Sequence, residues 1–212
     1  MVTIHGDGRI TTAQDAAAAS WMSRVYPDNR WKRMLWRTPL VLWRMGFGPL
    51  LGRYLMVVTA TGRKSGLPRR AMVEYHEFDG KKVVPCAFGE RAQWYRNITA
   101  DPRVTIQTAD GVEHVRARRI SDPEELIASY EVMHRRNPVM LDAYLRMLGV
   151  RSNPEDVIAQ RECIYWLTFE PTGEPTPPPL RADLRWVLPA LAAGLILAWQ
   201  LGSTFGREDQ GT

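Results

Sequence analysis

Between Tyr54 and Ile120 the chain is cut into short apolar runs by glycines and charged pairs. That pattern predicts five strands, at 54–61, 69–78, 81–88, 102–108 and 112–120. Asp79-Gly80 and Asp110-Gly111 read as the turns of two hairpins, because both dipeptides favour the positive φ a tight turn needs. In VRARRI, Val115, Ala117 and Ile120 stand apart from the arginines, as on a half-buried strand. The piece 91–99 reads as a short helix crossing from one hairpin to the next.

Helix signals flank these strands. Ser121-Asp122-Pro123-Glu124-Glu125 combines a capping side chain, a first-turn proline and acids near the positive end of the dipole. That helix runs to about Arg136; Pro138 interrupts it, and a second continues to Leu148. A short helix near 154–160 leads into a closing strand, 163–169. Upstream, alanine-rich 11–26 reads as a helix stopped by Pro27, and Asp28 or Asn29 caps another running to about Met45, with Pro39 a break. The expectation is an α+β fold: a small antiparallel barrel over 54–170 with helical additions, after an N-terminal helical region, 1–53.

Beyond the closing strand the pattern changes. Pro171, Pro175, Pro177, Pro178 and Pro179 suggest a stiff linker over 171–184, reaching roughly 25–30 Å at about 3.1 Å per residue. Trp186 to Gly206 is then uncharged and apolar on all faces, bounded by Arg185 and Arg207. A helix over 185–206 would span roughly 31 Å, close to the hydrocarbon thickness of a bilayer, with Trp186 and Trp199 as interfacial anchors. Gln200, Ser203 and Thr204 weaken its far end, so a hydrophobic latch or oligomerisation helix is the alternative. Residues 207–212 form a tail.

The 212 residues carry a net charge of +5, unevenly spread. From Arg24 to Arg53 seven cations face one acid, Asp28, and interleave with Trp31, Trp36, Trp43 and Phe47. Such a segment suits nucleic acid or an anionic membrane. Met34, Leu35, Leu40, Val41, Leu42 and Met45 favour the membrane and argue against nucleic acid; a core-packing helix with a basic outer face is the other reading. Cys86 and Cys163 lie far apart, with no C-x-x-C and no histidine at ligand spacing. That excludes a disulfide framework, gives no metal site, and fits a reducing cytosol. The first ten residues show no signal-peptide pattern. Cytoplasmic placement of the barrel, anchored C-terminally at the membrane, follows from the Arg181 and Arg185 flank.

The densest chemistry lies in VVTATGRKSGLPRR, 57–70. A β-branched run breaks at Gly62, and Arg63, Lys64, Arg69 and Arg70 follow with no acid before Glu74. A strand ending in a glycine-punctuated cationic turn offers backbone N–H groups and guanidinium forks to phosphate or clustered carboxylate. Neither a P-loop nor a G-x-G-x-x-G fingerprint is present.

With its neighbours, TGRKSGLPRR followed by a DG hairpin, CAFGERAQWYRNI and DPRVTIQ resembles the deazaflavin-dependent nitroreductase family, which includes quinone reductases, of the split β-barrel flavin-binding fold. The resemblance covers about 54–120, and the closing strand at 163–170 fits it. It implies coenzyme F-420, a deazaflavin with a phosphate and an oligoglutamate tail; FMN, which also carries a phosphate, is the alternative. Arg63, Lys64 and Arg69 match phosphate and tail ligands. Ala87, Phe88 and Gly89 match the loop whose backbone meets the ring system, and Trp94 and Tyr95 the aromatic pair beside ring and substrate. In the later helices, where family members carry a tyrosine cluster, SYEVMHRRNPVMLDAY leaves Tyr130, His134 and Tyr144 as counterparts.

The implied reaction is hydride transfer to an electron-poor, lipophilic acceptor such as a quinone or enone, with Tyr95, Tyr130, His134 or water as proton donor. Membrane lipids are then expected partners. Competing readings are an FMN-binding reductase and a non-catalytic, membrane-tethered fatty-acid or lipid-binding barrel.

Overall fold

The computed structural model describes residues 3–4, 10–11, 37–78, 80–189 and 192–193. Two short strands, β1 (Thr3–Ile4) and β2 (Ile10–Thr11), pair with each other. The first described helix, α1 (37–51), runs through Pro39 and bends at Gly46, whose φ is 98°. Thr11, the first residue of the helix expected at 11–26, instead ends β2; the rest of that helix and the start of its successor lie outside the described residues.

The main sheet holds β3 (Leu55–Thr61), β4 (Pro68–Glu74), β5 (His76–Phe78), β6 (Lys81–Pro85), β7 (Arg103–Thr108), β8 (Gly111–Arg119) and β9 (Trp166–Pro171). Its order is β4-β3-β7-β8-β9-β6-β5, with antiparallel pairing throughout. β4 approaches β6 without pairing to it, so the sheet curls without closing. This antiparallel α+β arrangement agrees with a split-barrel-like fold.

Each expected strand is present, with shifts that have local causes. The run 69–78 is two strands, because Tyr75 leaves the ladder and sends its hydroxyl to the Gly52 carbonyl at 2.9 Å. The strand expected to reach residue 88 stops at Pro85, where the chain turns through Gly89 (φ 46°). α2 (Gln93–Ala100) crosses between hairpins. α3 (Pro123–Arg136), α4 (Pro138–Met147) and α5 (Pro154–Ala159) each have proline in the first turn and a capping side chain, from Asp122, Asn137 and Asn153 respectively.

Two apolar clusters result. One fills the barrel with Met56, Val58, Ala60, Val104, Ile106, Val115 and Ala117, and includes Tyr95 and Ile98 of α2. The other joins α3, α4 and α5 to Val83, Ile164 and Trp166. His76 is buried and His114 exposed, with His114 Nδ1 2.5 Å from Thr176 Oγ1.

The proline-rich segment is not a free spacer. Val104 and Ile106 of β7 face the barrel, whereas Thr105 and Gln107 are polar yet buried, because residues 172–183 lie across them. Thr105 Oγ1 bonds Thr176 Oγ1 at 2.7 Å and also donates to the Pro177 carbonyl. Gln107 closes a ring with Leu180: Nε2 donates to its carbonyl (3.1 Å), and its N–H donates to Oε1 (2.6 Å). Arg70 reaches the Pro178 carbonyl at 3.4 Å. These bonds turn the polyproline stretch into a strap, ending where Asp183 N–H meets the Arg44 carbonyl at 2.6 Å.

The expected membrane-spanning helix falls mainly outside the described residues. Within them only 187–189 and 192–193 of that stretch are helical, and no described helix is long and apolar enough to cross a membrane.

Candidate cofactor site

β3 delivers the chain into the cationic turn. Gly62 N–H bonds the Leu67 carbonyl (2.9 Å), and Ser65 and Gly66 N–H bond back to the Gly62 carbonyl at 3.0 and 2.8 Å. Gly66 holds φ 65°, whereas Gly62 is constrained by space: a Cβ there would lie 3.0 Å from the Leu67 carbonyl oxygen.

The four cations of this turn divide their work. Arg63 is half-buried and points at α2, donating from Nη1 to Asn97 Oδ1 (2.9 Å) and from Nη2 to Gln93 Oε1 (2.9 Å). Arg70 is taken up by the strap. Lys64 and Arg69 are exposed, Arg69 touching Ser65 Oγ at 3.3 Å. Lys64 and Arg69 are thus the cations this turn leaves open, with Arg63 bracing it from behind.

The loop after β6 is tied at both ends. Cys86 N–H bonds the Tyr165 carbonyl (2.9 Å), and Ala92 N–H the Gly89 carbonyl (3.0 Å). The side of Gly89 where a Cβ would project is filled by the Tyr165 ring, 2.7 Å from that position. Burial pushes the Cys86 thiol up to about 12, so it stays protonated and is no nucleophile. Ala87 and Phe88 are half-buried on this loop.

Aromatic rings close the same end of the barrel. Tyr95 meets Trp94 and Tyr165 edge-on, at 6.4 Å and 5.4 Å between centroids. Arg119 lies 4.5 Å over Tyr165 and donates to the carbonyls of Ile164, Arg161 and Glu162, at 3.0, 3.0 and 2.7 Å. Burial raises the Tyr95 phenol above its usual range, so it remains a proton-bearing donor at neutral pH.

Arg63, Lys64, Arg69, Ala87, Phe88, Gly89, Trp94 and Tyr95 thus share one end of the sheet. Tyr130 and His134 are elsewhere. Tyr130 belongs to the helical cluster and donates to the Ser152 carbonyl (3.0 Å), and exposed His134 stacks on it at 5.5 Å. Tyr144 packs against the same cluster, with its ring 6.4 Å from that of Trp166. Sequence reasoning passed over Asn97, Gln93 and Tyr165. The first two were findable, because an amide pair four residues apart shares one helix face. Tyr165 gave no such signal within CIYWLTF.

Residues 45–144 match the model of the F420H(2)-dependent quinone reductase family, and this stretch holds the cationic turn, the strand-end loop and α2. The class so defined is a deazaflavin-dependent oxidoreductase, with coenzyme F-420 as its cofactor. Over those residues the chain is similar to the F420H(2)-dependent quinone reductase family.

Among solved structures, an F420-H2 dependent reductase (FDR-A) is 23% identical, with 56% of this chain and 95% of that one covered and a TM-score of 0.44. A domain-swapped dimer is 20% identical, covering 63% and 100%, with a TM-score of 0.43. The heme storage protein HutZ from Vibrio cholerae is 13% identical, covering 65% and 91%, with a TM-score of 0.42. At those values the structural likenesses carry no argument.

The donor set fits the cofactor. Two exposed cations suit its anionic end, although the N–H groups of Gly62, Arg63, Ser65 and Gly66 are taken up within the protein, and half-buried Phe88 and Trp94 beside a glycine loop suit its ring.

Proposed function

We propose that the protein passes a hydride from reduced coenzyme F-420 to a quinone-type acceptor at the cytoplasmic face of the membrane. The observation that carries this reading is the Arg63 clamp on Asn97 and Gln93, which joins the anion-binding turn and the aromatic helix into one unit. A molecule anionic at one end and planar at the other is recognised by such a unit as a whole.

Bound F-420 supplies the hydride; the chain supplies position, dryness and a proton. Lys64 and Arg69 hold the phosphate and tail. The backbone of Ala87, Phe88 and Gly89 would lie against the cofactor's ring system. Trp94 and Tyr95 would help to exclude water there. The acceptor would take one hydride and one proton, for which the protonated phenols of Tyr95 and its neighbour Tyr165 are the donors at this end. Tyr130 and His134 belong to the helical cluster and have no part in the step.

The test is a titration of purified protein with F-420, FMN, haem and a fatty acid, followed by fluorescence quenching or absorbance. Saturable F-420 binding, with absorbance near 420 nm appearing when reduced cofactor meets a short-chain quinone, supports the proposal. Preferential binding of FMN or fatty acid would replace it with the corresponding rival.

A further inference from the structure

The end of the sheet opposite the cofactor turn carries a surface that the reductase reading does not use. Two segments distant in sequence meet there. Asp183 N–H bonds the Arg44 carbonyl at 2.6 Å, Trp186 Nε1 donates to the Met45 carbonyl at 3.2 Å, and Leu184 packs at Gly46. The surface they build is apolar and open: Val41, Phe47 and Leu50 of α1 and Leu184, Trp186 and Leu188 beyond the strap are all exposed, from 38% at Trp186 to 76% at Leu188. Arg44 and Arg185 line one hollow of it with Val41 and Trp186, Arg37, Arg53 and Arg181 stand near it in sequence, and within 37–54 and 180–189 the only acid is Asp183.

From this we infer that the surface is a docking face for an anionic lipid bilayer. It deepens the membrane-side placement proposed above and does not depend on the acceptor's chemistry. Large apolar side chains with arginines around them and a tryptophan among them are what the headgroup boundary accepts: the side chains enter the acyl edge, the guanidiniums pair with phosphates, and the indole sits between. A nucleic-acid partner would leave Val41, Leu50 and Leu188 with nothing apolar to meet. A second copy meeting this face about a two-fold axis would set its arginines against one another, which costs affinity. The chain also leaves the patch into an uncharged apolar run, 190–206, and reaches α1 from a stretch containing Trp31, Lys32, Arg33 and Trp36. Both continuations have the composition of the patch.

The strap is what assembles the face. The Gln107–Leu180 ring and the Asp183–Arg44 bond bring the 184–188 segment to α1, where the Trp186–Met45 bond and Leu184 hold it.

The experiment is flotation of the full chain with vesicles of phosphatidylcholine alone and of phosphatidylcholine with phosphatidylglycerol, at low and high salt. Expected is binding to the anionic vesicles that weakens as salt rises, and a loss of roughly tenfold or more in the double variant Leu50→Glu, Leu188→Glu. A second variant, Arg37→Glu with Arg185→Glu, should lose anionic binding in the same way. Both should keep wild-type F-420 affinity, measured without lipid, which establishes that they are folded and separates this inference from the fate of the reductase reading. Undiminished flotation of both variants overturns the inference, as does equal binding to neutral and anionic vesicles. Absence of flotation together with a dimer that Leu50→Glu, Leu188→Glu dissolves also overturns it, and makes the face a contact between copies.

Discussion

Asn97 Oδ1 accepts two hydrogen bonds from the same residue, one from the Arg63 backbone N–H at 3.3 Å and one from Arg63 Nη1 at 2.9 Å. Asn97 is buried, so the turn proposed to bind the cofactor's anionic end and the helix proposed as its aromatic wall share one internal joint.

That joint separates two effects that a simple anion-site view would merge. Asn97→Ala strands a half-buried guanidinium and should cost about 1–3 kcal/mol of stability in urea unfolding, with F-420 affinity falling as well. Lys64→Ala and Arg69→Ala, both exposed, should leave stability within about 0.5 kcal/mol while each weakens F-420 roughly tenfold. Equal stability losses in all three would show that the joint is not special.

Gly89 should be the least replaceable glycine of the site. An alanine there combines φ 46° with a contact of 2.7 Å to the Tyr165 ring. We expect Gly89→Ala to cost about 1–3 kcal/mol and to weaken F-420 binding through the displaced loop. Gly66→Ala has the φ strain but open space, so its cost should stay near 1 kcal/mol. Calorimetry of the two variants checks the ranking.

Thr59 lies fully buried in the middle of β3, and its hydroxyl has no hydrogen-bond partner. Replacement by valine keeps the shape and removes the orphan, so Thr59→Val should stabilise the fold by about 1 kcal/mol, read as a higher urea midpoint with unchanged slope.

His76 sets a pH dependence. Burial, aided by the Arg136 charge, lowers its pKa from 6.5 to about 4, and Glu74 at 3.8 Å is too exposed to reverse this. Between those values the unfolded chain binds the proton and the folded one does not. Stability from this group is therefore complete above about pH 6.5 and is lost as pH falls towards 4, at no more than about 1.4 kcal/mol per pH unit. A His76→Gln variant should flatten the unfolding free energy across that window.

The hairpins, capped helices and barrel strands were legible because each rests on local rules: Gly80 and Gly111 at φ 70° and 127°, and Asp122 bonding Glu125 N–H at 2.9 Å. The cationic turn and strand-end loop were legible from their motifs. Less visible was which cation does what, since Arg63, Lys64, Arg69 and Arg70 read alike until α2 and the strap take two of them. Tyr130 and His134 read as site residues from the family resemblance alone, but their positions depend on how α3 packs on α4 and α5, a long-range choice that no local pattern encodes. The strap was misread for the same reason: five prolines describe a stiff chain, while the docking partner, Gln107, sits on a strand more than seventy residues away.

β3 has one more consequence. Its seven residues, at about 3.3–3.4 Å each, hold the cofactor turn roughly 23 Å from α1. In physiological salt the Debye length is about 8 Å, so nearly three screening lengths separate a charge at the turn from one at the other end of β3. The strand acts as an insulator. A highly negative small molecule at one end would not have its charge felt at the other, and either end can change its charge in evolution without retuning its neighbour.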